Sequence, residues 1–132
     1  MSSRFEGHRF WIMYHGTRLS AAQAIIRDGF RRSTDGMLGP GVYLSRSVEK
    51  VRRYPLDAQP GERLAILEVR VEVGLVIRID YQGHPLQKIW HQHGYSTAWV
   101  PPNCLMVDSN LEENCVWDPA RIEVLQMWEF QR

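Results

Sequence analysis

The chain of 132 residues has only two cysteines, Cys104 and Cys115. That is too few for a disulfide framework and fits a reducing compartment. Its formal net charge is +1, which argues against nucleic-acid binding through bulk electrostatics and leaves only local basic patches for that purpose. No apolar run approaches the length that crosses a bilayer. The opening Met1-Ser2-Ser3-Arg4-Phe5-Glu6 has no apolar segment of the signal-peptide kind. Repeats, low-complexity tracts and linkers are also lacking. His84, His91 and His93 match no closed zinc spacing with either cysteine, so no metal site is expected. These absences give the expectation of a soluble, non-membrane protein of the cytoplasm or nucleus. It reads as a single domain, 1–132, with its core at about 10–127. A hydrophobic content of 44% is enough for one buried core in a chain of this size.

What is present reads as many short strands and a few short helices. Residues 1–9 are polar, a loose or edge segment. Phe10–Tyr14 is aromatic-rich and reads as a buried strand ended by Gly16. Ser20 with Gln23 has the form of a capping box, opening a helix whose apolar face is Ala21, Ala24 and Ile25 and which Gly29 stops. A second helix is expected from Val48 to Tyr54, ended by Pro55. Arg63–Val73 alternates cleanly, with Ala65, Leu67, Val69, Val71 and Val73 on one face and Glu68, Arg70 and Glu72 on the other. Val76–Ile79 follows Gly74 as its expected partner strand. Pro85–His93 reads as a short helix, Thr97–Val100 as a strand, and Cys115–Trp117 and Ile122–Met127 as two final strands. With no regular βαβ alternation, the class is α+β with mostly antiparallel sheets.

The stretch Asp35–Tyr54 organises the rest. Gly36, Gly39 and Gly41 lead into Val42-Tyr43-Leu44, and a helix then brings Tyr54 back. The glycine order G-x-x-G-x-G is neither a dinucleotide-binding turn nor a P-loop. Alone it fits a tight turn before a strand. Taken with His15-Gly16-Thr17, Gly39-Pro40-Gly41-Val42-Tyr43-Leu44, Lys50, Tyr54 and Glu113-Asn114-Cys115-Val116-Trp117-Asp118, it resembles the catalytic domain of the poly(ADP-ribose) polymerase-like ADP-ribosyltransferases. Met37-Leu38-Gly39, the segment from His84 to Asn103 and the stretch from Leu111 to Pro119 are most similar to the small stand-alone grass carp reovirus-induced gene family. The likeness runs from Trp11 to Met127, about nine-tenths of the chain.

The resemblance implies two small sheets around a dinucleotide cleft with short flanking helices. It implies nicotinamide adenine dinucleotide (NAD) as co-substrate, and transfer of a single ADP-ribose to a protein or nucleic-acid acceptor. Among vertebrate members it implies a role in antiviral defence. By the same resemblance, His15, Tyr43 and Glu113 are the catalytic set. Gly16, Thr17, Arg18, Arg31, Gly41, Tyr43 and Tyr54 would bind the dinucleotide. Gly16 would meet the carboxamide, Tyr43 and Tyr54 would sandwich the nicotinamide, and His15 would bond a ribose hydroxyl. Glu113 would hold the reacting ribose and polarise the nucleophile, where positive charge develops. Glu112 would fall on the other face of the strand and tolerate replacement. Two departures favour an alternative, a non-catalytic module that binds NAD, ADP-ribose or a protein partner. Val51 stands where the family has a serine, and the segment Arg31–Asp35 leaves almost no loop over the donor.

Overall fold

The computed structural model describes residues 9–107 and 109–132; the reading of residues 1–8 lies outside them. The protein is α+β, with two small sheets and few helices. The first sheet has the order β1 (Phe10–Arg18), β3 (Leu64–Glu72), β7 (Ile122–Phe130), all antiparallel. The second runs β2 (Val42–Leu44), β6 (Glu113–Val116), β5 (Thr97–Val100), β4 (Val76–Arg78), antiparallel except for the parallel β4–β5 pair. Helix α1 spans Leu19–Asp28 and helix α2 only Val48–Val51. Among the described residues no helix is long and apolar enough to cross a membrane.

The alternation of β3 places the fold. Ala65, Leu67, Val69, Val71 and Val73 all lie in the core between the sheets, with Met13 of β1, Leu19 and Ala22 of α1, and Val42, Leu44 and Val116 of the second sheet. The neighbours Tyr43 and Cys115 turn to a second core behind that sheet, built on Leu38, Ile77, Trp90 and Val100. The period of two thus gives β2 and β6 two apolar faces, each buried by a different layer. Trp90 holds the outer layer down, its indole N–H donating to Leu38 O at 2.7 Å.

Several local expectations are corrected. β1 continues through Gly16 to Arg18, because pairing with β3 persists to Leu64. Ser20 is not a cap: α1 starts at Leu19 with Arg18 at the N-cap and no side-chain bond there. Its buried positions are Leu19 and Ala22, whereas Ala21 and Ala24 are half-buried. Helix α2 stops at Val51, and Tyr54 is reached by a turn whose N–H bonds Val51 O at 3.1 Å. β4 does not pair with β3; Gly74 carries the chain across into the other sheet, where β4 joins β5. Pro85–His93 forms turns and then a 3-10 helix at Trp90–His93, stopped by Gly94.

The sheets meet at one backbone bridge. Tyr14 N–H bonds Ser45 O at 2.7 Å and Ser45 N–H bonds Tyr14 O at 3.1 Å. Two positions along β1, Gly16 lies against the end of α2: a Cβ there would sit 1.9 Å from Val51 O. That approach between two backbones admits only glycine. Gly16→Ala should therefore lower stability by about 2–3 kcal/mol, the scale of forced overpacking, in urea unfolding. An unchanged midpoint would mean that β1 and α2 do not approach this closely.

Candidate active-site cleft

Beyond the Tyr14–Ser45 bridge the sheets part, and the next residue, His15, faces the opening. Its Nδ1 lies 3.1 Å from Tyr43 O. A carbonyl oxygen only accepts, so Nδ1 carries the proton and the neutral ring presents Nε2 as an acceptor. Burial lowers the His15 pKa, against the opposing effect of that backbone bond. Phe30 sets the ring plane from the side, edge-on at 5.2 Å and 89°.

Tyr43 is fixed by the glycine loop. Its hydroxyl donates to Gly39 O at 2.6 Å and accepts from Leu38 N at 2.8 Å. A Cβ on Gly36 would fall 2.4 Å from that hydroxyl, so the loop can close over the ring only with glycine there. Burial raises the phenol pKa far above its ordinary value, and Cys115, itself pushed up to about 12 by burial, reinforces the shift. Tyr43 is thus a neutral, immobilised wall whose polar end is already used.

Glu113 opens β6 opposite. Its carboxylate meets Lys50 of α2, Nζ to Oε2 at 3.0 Å, and the same ammonium donates to Glu112 O at 3.3 Å. Lys50 is 2% exposed. Burial raises the Glu113 pKa, with the Lys50 charge and hydrogen bond working against the rise. Glu112 points the other way, as a period of two requires, but it is not solvated. It is 6% exposed and accepts from Arg46 N (2.6 Å), Arg46 Nε (2.8 Å), Trp99 Nε1 (3.1 Å) and Asn114 Nδ2 (2.9 Å). Burial opposes its ionisation, yet the Arg46 bonds and the Trp99 bond together bring its pKa below the usual carboxylate range. The expectation that Glu112 tolerates replacement is corrected: a glutamine there keeps one acceptor oxygen but turns an amide NH2 toward two of the four donors that the carboxylate serves.

His15, Gly16, Tyr43, Lys50, Tyr54 and Glu113 line one small cleft of about 90 Å³, with Val51 also on its wall. It opens on either side into larger grooves. One, about 590 Å³, runs past Phe30, Arg27, Arg31 and Gly41. The other, about 640 Å³, runs past Asp35, Arg53, Leu56 and Met106. Tyr43 borders all three.

Of the residues singled out from sequence, His15, Gly16, Tyr43, Tyr54 and Glu113 converge on the central cleft, and Arg31 and Gly41 border the adjoining groove. Thr17 and Arg18 border none of the three. Thr17 is held in the β1–β3 ladder opposite Ala65. Arg18 is engaged by Glu62 at 2.5 Å and Asp57 at 3.0 Å. Arg32, the other half of the basic pair, lies 3.8 Å over the Trp117 ring, with His91 stacked on that indole at 3.7 Å. Lys50 belongs to the motif that carried the resemblance but was given no role there; it lies on the cleft wall, paired with Glu113. Among the described residues no cluster of His, Cys, Asp and Glu could hold a metal ion. No protein-family model matches the chain, and no curated protein matches it.

The two neighbouring carboxylates should titrate apart. Glu113 should show a midpoint above the ordinary glutamate range in carbon-detected NMR, and Glu112 one below it. Lys50→Met removes the ion that favours the charged form, so the Glu113 midpoint should rise further. A midpoint that stays put or falls would break the Lys50–Glu113 assignment. The stability consequences have opposite signs. The raised Glu113 makes the folded state bind its proton more tightly, so its contribution is lost as pH rises through the raised pKa. The depressed Glu112 contributes above its unfolded pKa, and that contribution is lost as pH falls through the folded one.

Proposed function

We propose that the protein is a mono-ADP-ribosyltransferase of the poly(ADP-ribose) polymerase-like class, taking NAD as donor and a protein or nucleic-acid end as acceptor. One observation carries the reading: a neutral histidine acceptor, two tyrosines, a glycine backbone and a half-buried carboxylate from four separate stretches line the same small cleft. The α+β architecture with two sheets parting around that cleft accords with the same fold.

The chemistry of the walls fits the donor. Tyr43 and Tyr54 offer aromatic faces to a flat nicotinamide, where stacking contributes about 0.5–1.5 kcal/mol beyond burial. His15 Nε2 accepts from a ribose hydroxyl. The groove carrying Arg27 and Arg31 takes the diphosphate and adenosine. When bound, NAD supplies an ADP-ribosyl group with nicotinamide as its leaving group. Glu113 faces the other groove, where an acceptor would enter. It orients the acceptor's nucleophilic group and takes its proton as the new bond forms. Burial raises the pKa of this carboxylate, and Lys50 works against that rise.

Glu113→Gln keeps the shape and removes the charge that acts on the transition state. Transfer should fall by about 10²-fold or more, with donor affinity little changed. Intact-mass spectrometry of the protein and of lysate acceptors after incubation with NAD reads the transfer, and calorimetry reads the affinity. Wild-type protein that binds NAD yet transfers nothing would favour the non-catalytic module, the reading that Val51 supports. Val51 lines the cleft without a polar group. Val51→Ser should tighten nicotinamide binding by about 0.5–1.5 kcal/mol through one added hydrogen bond. No gain would place the carboxamide elsewhere.

A further inference from the structure

On the other side of the Tyr14–Ser45 bridge the sheets part a second time. The chamber there, about 260 Å³, is lined by Trp11 and Met13 of β1, Thr97 and Trp99 of β5, and by Arg9, Arg46 and Asn114. That volume lies just below the roughly 300 Å³ lower limit of drug-sized pockets, which suits a single flat ring system. Arg46 spans the two indoles, its guanidinium carbon 4.7 Å from the Trp11 centroid and 5.9 Å from that of Trp99. Arg78 also approaches the Trp99 ring, at 5.9 Å. Aromatic planes and guanidinium groups therefore alternate from Trp11 through Arg46 and Trp99 to Arg78 at the rim.

The charges decide what such a chamber accepts. Glu112 is saturated by four donors, so it offers no open carboxylate to a cation. Arg70 and Arg78 are paired with Glu123 and Asp80. Arg9 has no carboxylate partner among the described residues. Arg46 is paired with Glu112, so the charge left uncompensated on the chamber wall is that of Arg9, which repels a cationic ligand. An anionic ligand with a flat aromatic part finds an indole to stack on and a guanidinium for its charge. Asn114 gives its Nδ2 to Glu112, leaving its carbonyl oxygen as an acceptor on the chamber wall.

We propose that this chamber binds one base of a single-stranded nucleic acid, stacked on Trp11 with the adjoining phosphate on Arg9, the strand continuing past Trp99 toward Arg78 at the rim. The continuation favours a strand over a free mononucleotide, because the chamber itself has room for only one base. This site is separate from the cleft around Tyr43 and does not depend on how that cleft is used.

A fluorescein-labelled ten-nucleotide oligo(dT) tests it by anisotropy at low and at near-physiological salt. Wild-type protein should bind, and binding should weaken as salt rises. Trp11→Ala should weaken binding by about tenfold or more, as for loss of one stacking partner, and Trp11→Phe should restore most of it. Arg9→Gln, at an exposed position, should flatten the salt dependence. Thymidine monophosphate at equal concentration should not displace the strand, nor should excess NAD. ADP-ribosyl transfer to protein acceptors should persist in Trp11→Ala, which separates this site's failure from that of the transferase reading. The proposal is overturned by a wild-type protein that does not bind the strand, by a folded Trp11→Ala that binds normally, or by equal displacement with the mononucleotide. Should Trp11→Ala not fold, an unchanged salt slope in Arg9→Gln overturns it instead.

Discussion

Two backbone hydrogen bonds between Tyr14 and Ser45 set the geometry of this protein. β1 belongs to one sheet and Ser45 follows β2 of the other, and this backbone bridge joins them beside the core that they share. On either side of it the twisted layers part. The residue after Tyr14, His15, lines one opening, while Trp11 and Met13, earlier in β1, line the other. Arg46, next after Ser45, turns to the second opening. The carboxylates repeat the division: Glu112 serves the tryptophan–arginine side and Glu113 the tyrosine side. Ser45 joins the two, its hydroxyl donating to Glu112 O at 2.9 Å.

What was legible in the sequence was what local pattern controls. The alternation of β3 was plain because an interior strand with one fully buried face has no freedom of register. The convergence of His15, Tyr43, Tyr54 and Glu113 followed from a motif order rather than from periodicity: His15 and Tyr43 lie inside β1 and β2, Glu113 opens β6, and Tyr54 follows α2. Other features were not legible, for physical reasons. Ser20 has the residue type of a cap, but the ladder between Arg18 and Leu64 runs straight into the helix and leaves no extended residue there for it to cap. β4 was placed beside β3 because a glycine turn between two strands usually makes a hairpin. Gly74 instead turns where a Cβ would strike Ser96 Oγ at 2.5 Å, at the crossing into the second sheet. Arg18 was expected to bind the dinucleotide by the resemblance, yet Asp57 and Glu62, about forty residues on, claim it. Partners so distant in sequence leave no local signal.

The same limit explains Glu112. Two adjacent glutamates read as one functional acid and one neighbour on the other face that tolerates replacement. Glu112 is buried and Glu113 half-buried, and what distinguishes them is the kind of partner. Glu112 is met by four donors that all favour its charged form, so its ionisation is part of the fold. Glu113 has one charged side-chain partner, and burial raises its pKa in spite of that partner.

That difference makes Glu113 the more responsive group. A carboxylate saturated with donors gains little from a further one and has no reason to take up a proton. One held charged by a single ammonium can exchange that ammonium for a ligand group, or accept a proton from one, at small cost. The pair is also costly to break from one side. Removing Glu113 alone leaves Lys50 buried without its carboxylate partner, a penalty of about 3–5 kcal/mol for such pairs. Much of that penalty would fall on stability rather than on chemistry, so a charge-removing change that keeps a hydrogen-bond acceptor for the ammonium separates the two better than truncation. The glutamine amide oxygen does this, because Lys50 retains that oxygen and Glu112 O as acceptors. Any loss of chemistry that remains then belongs to the missing charge.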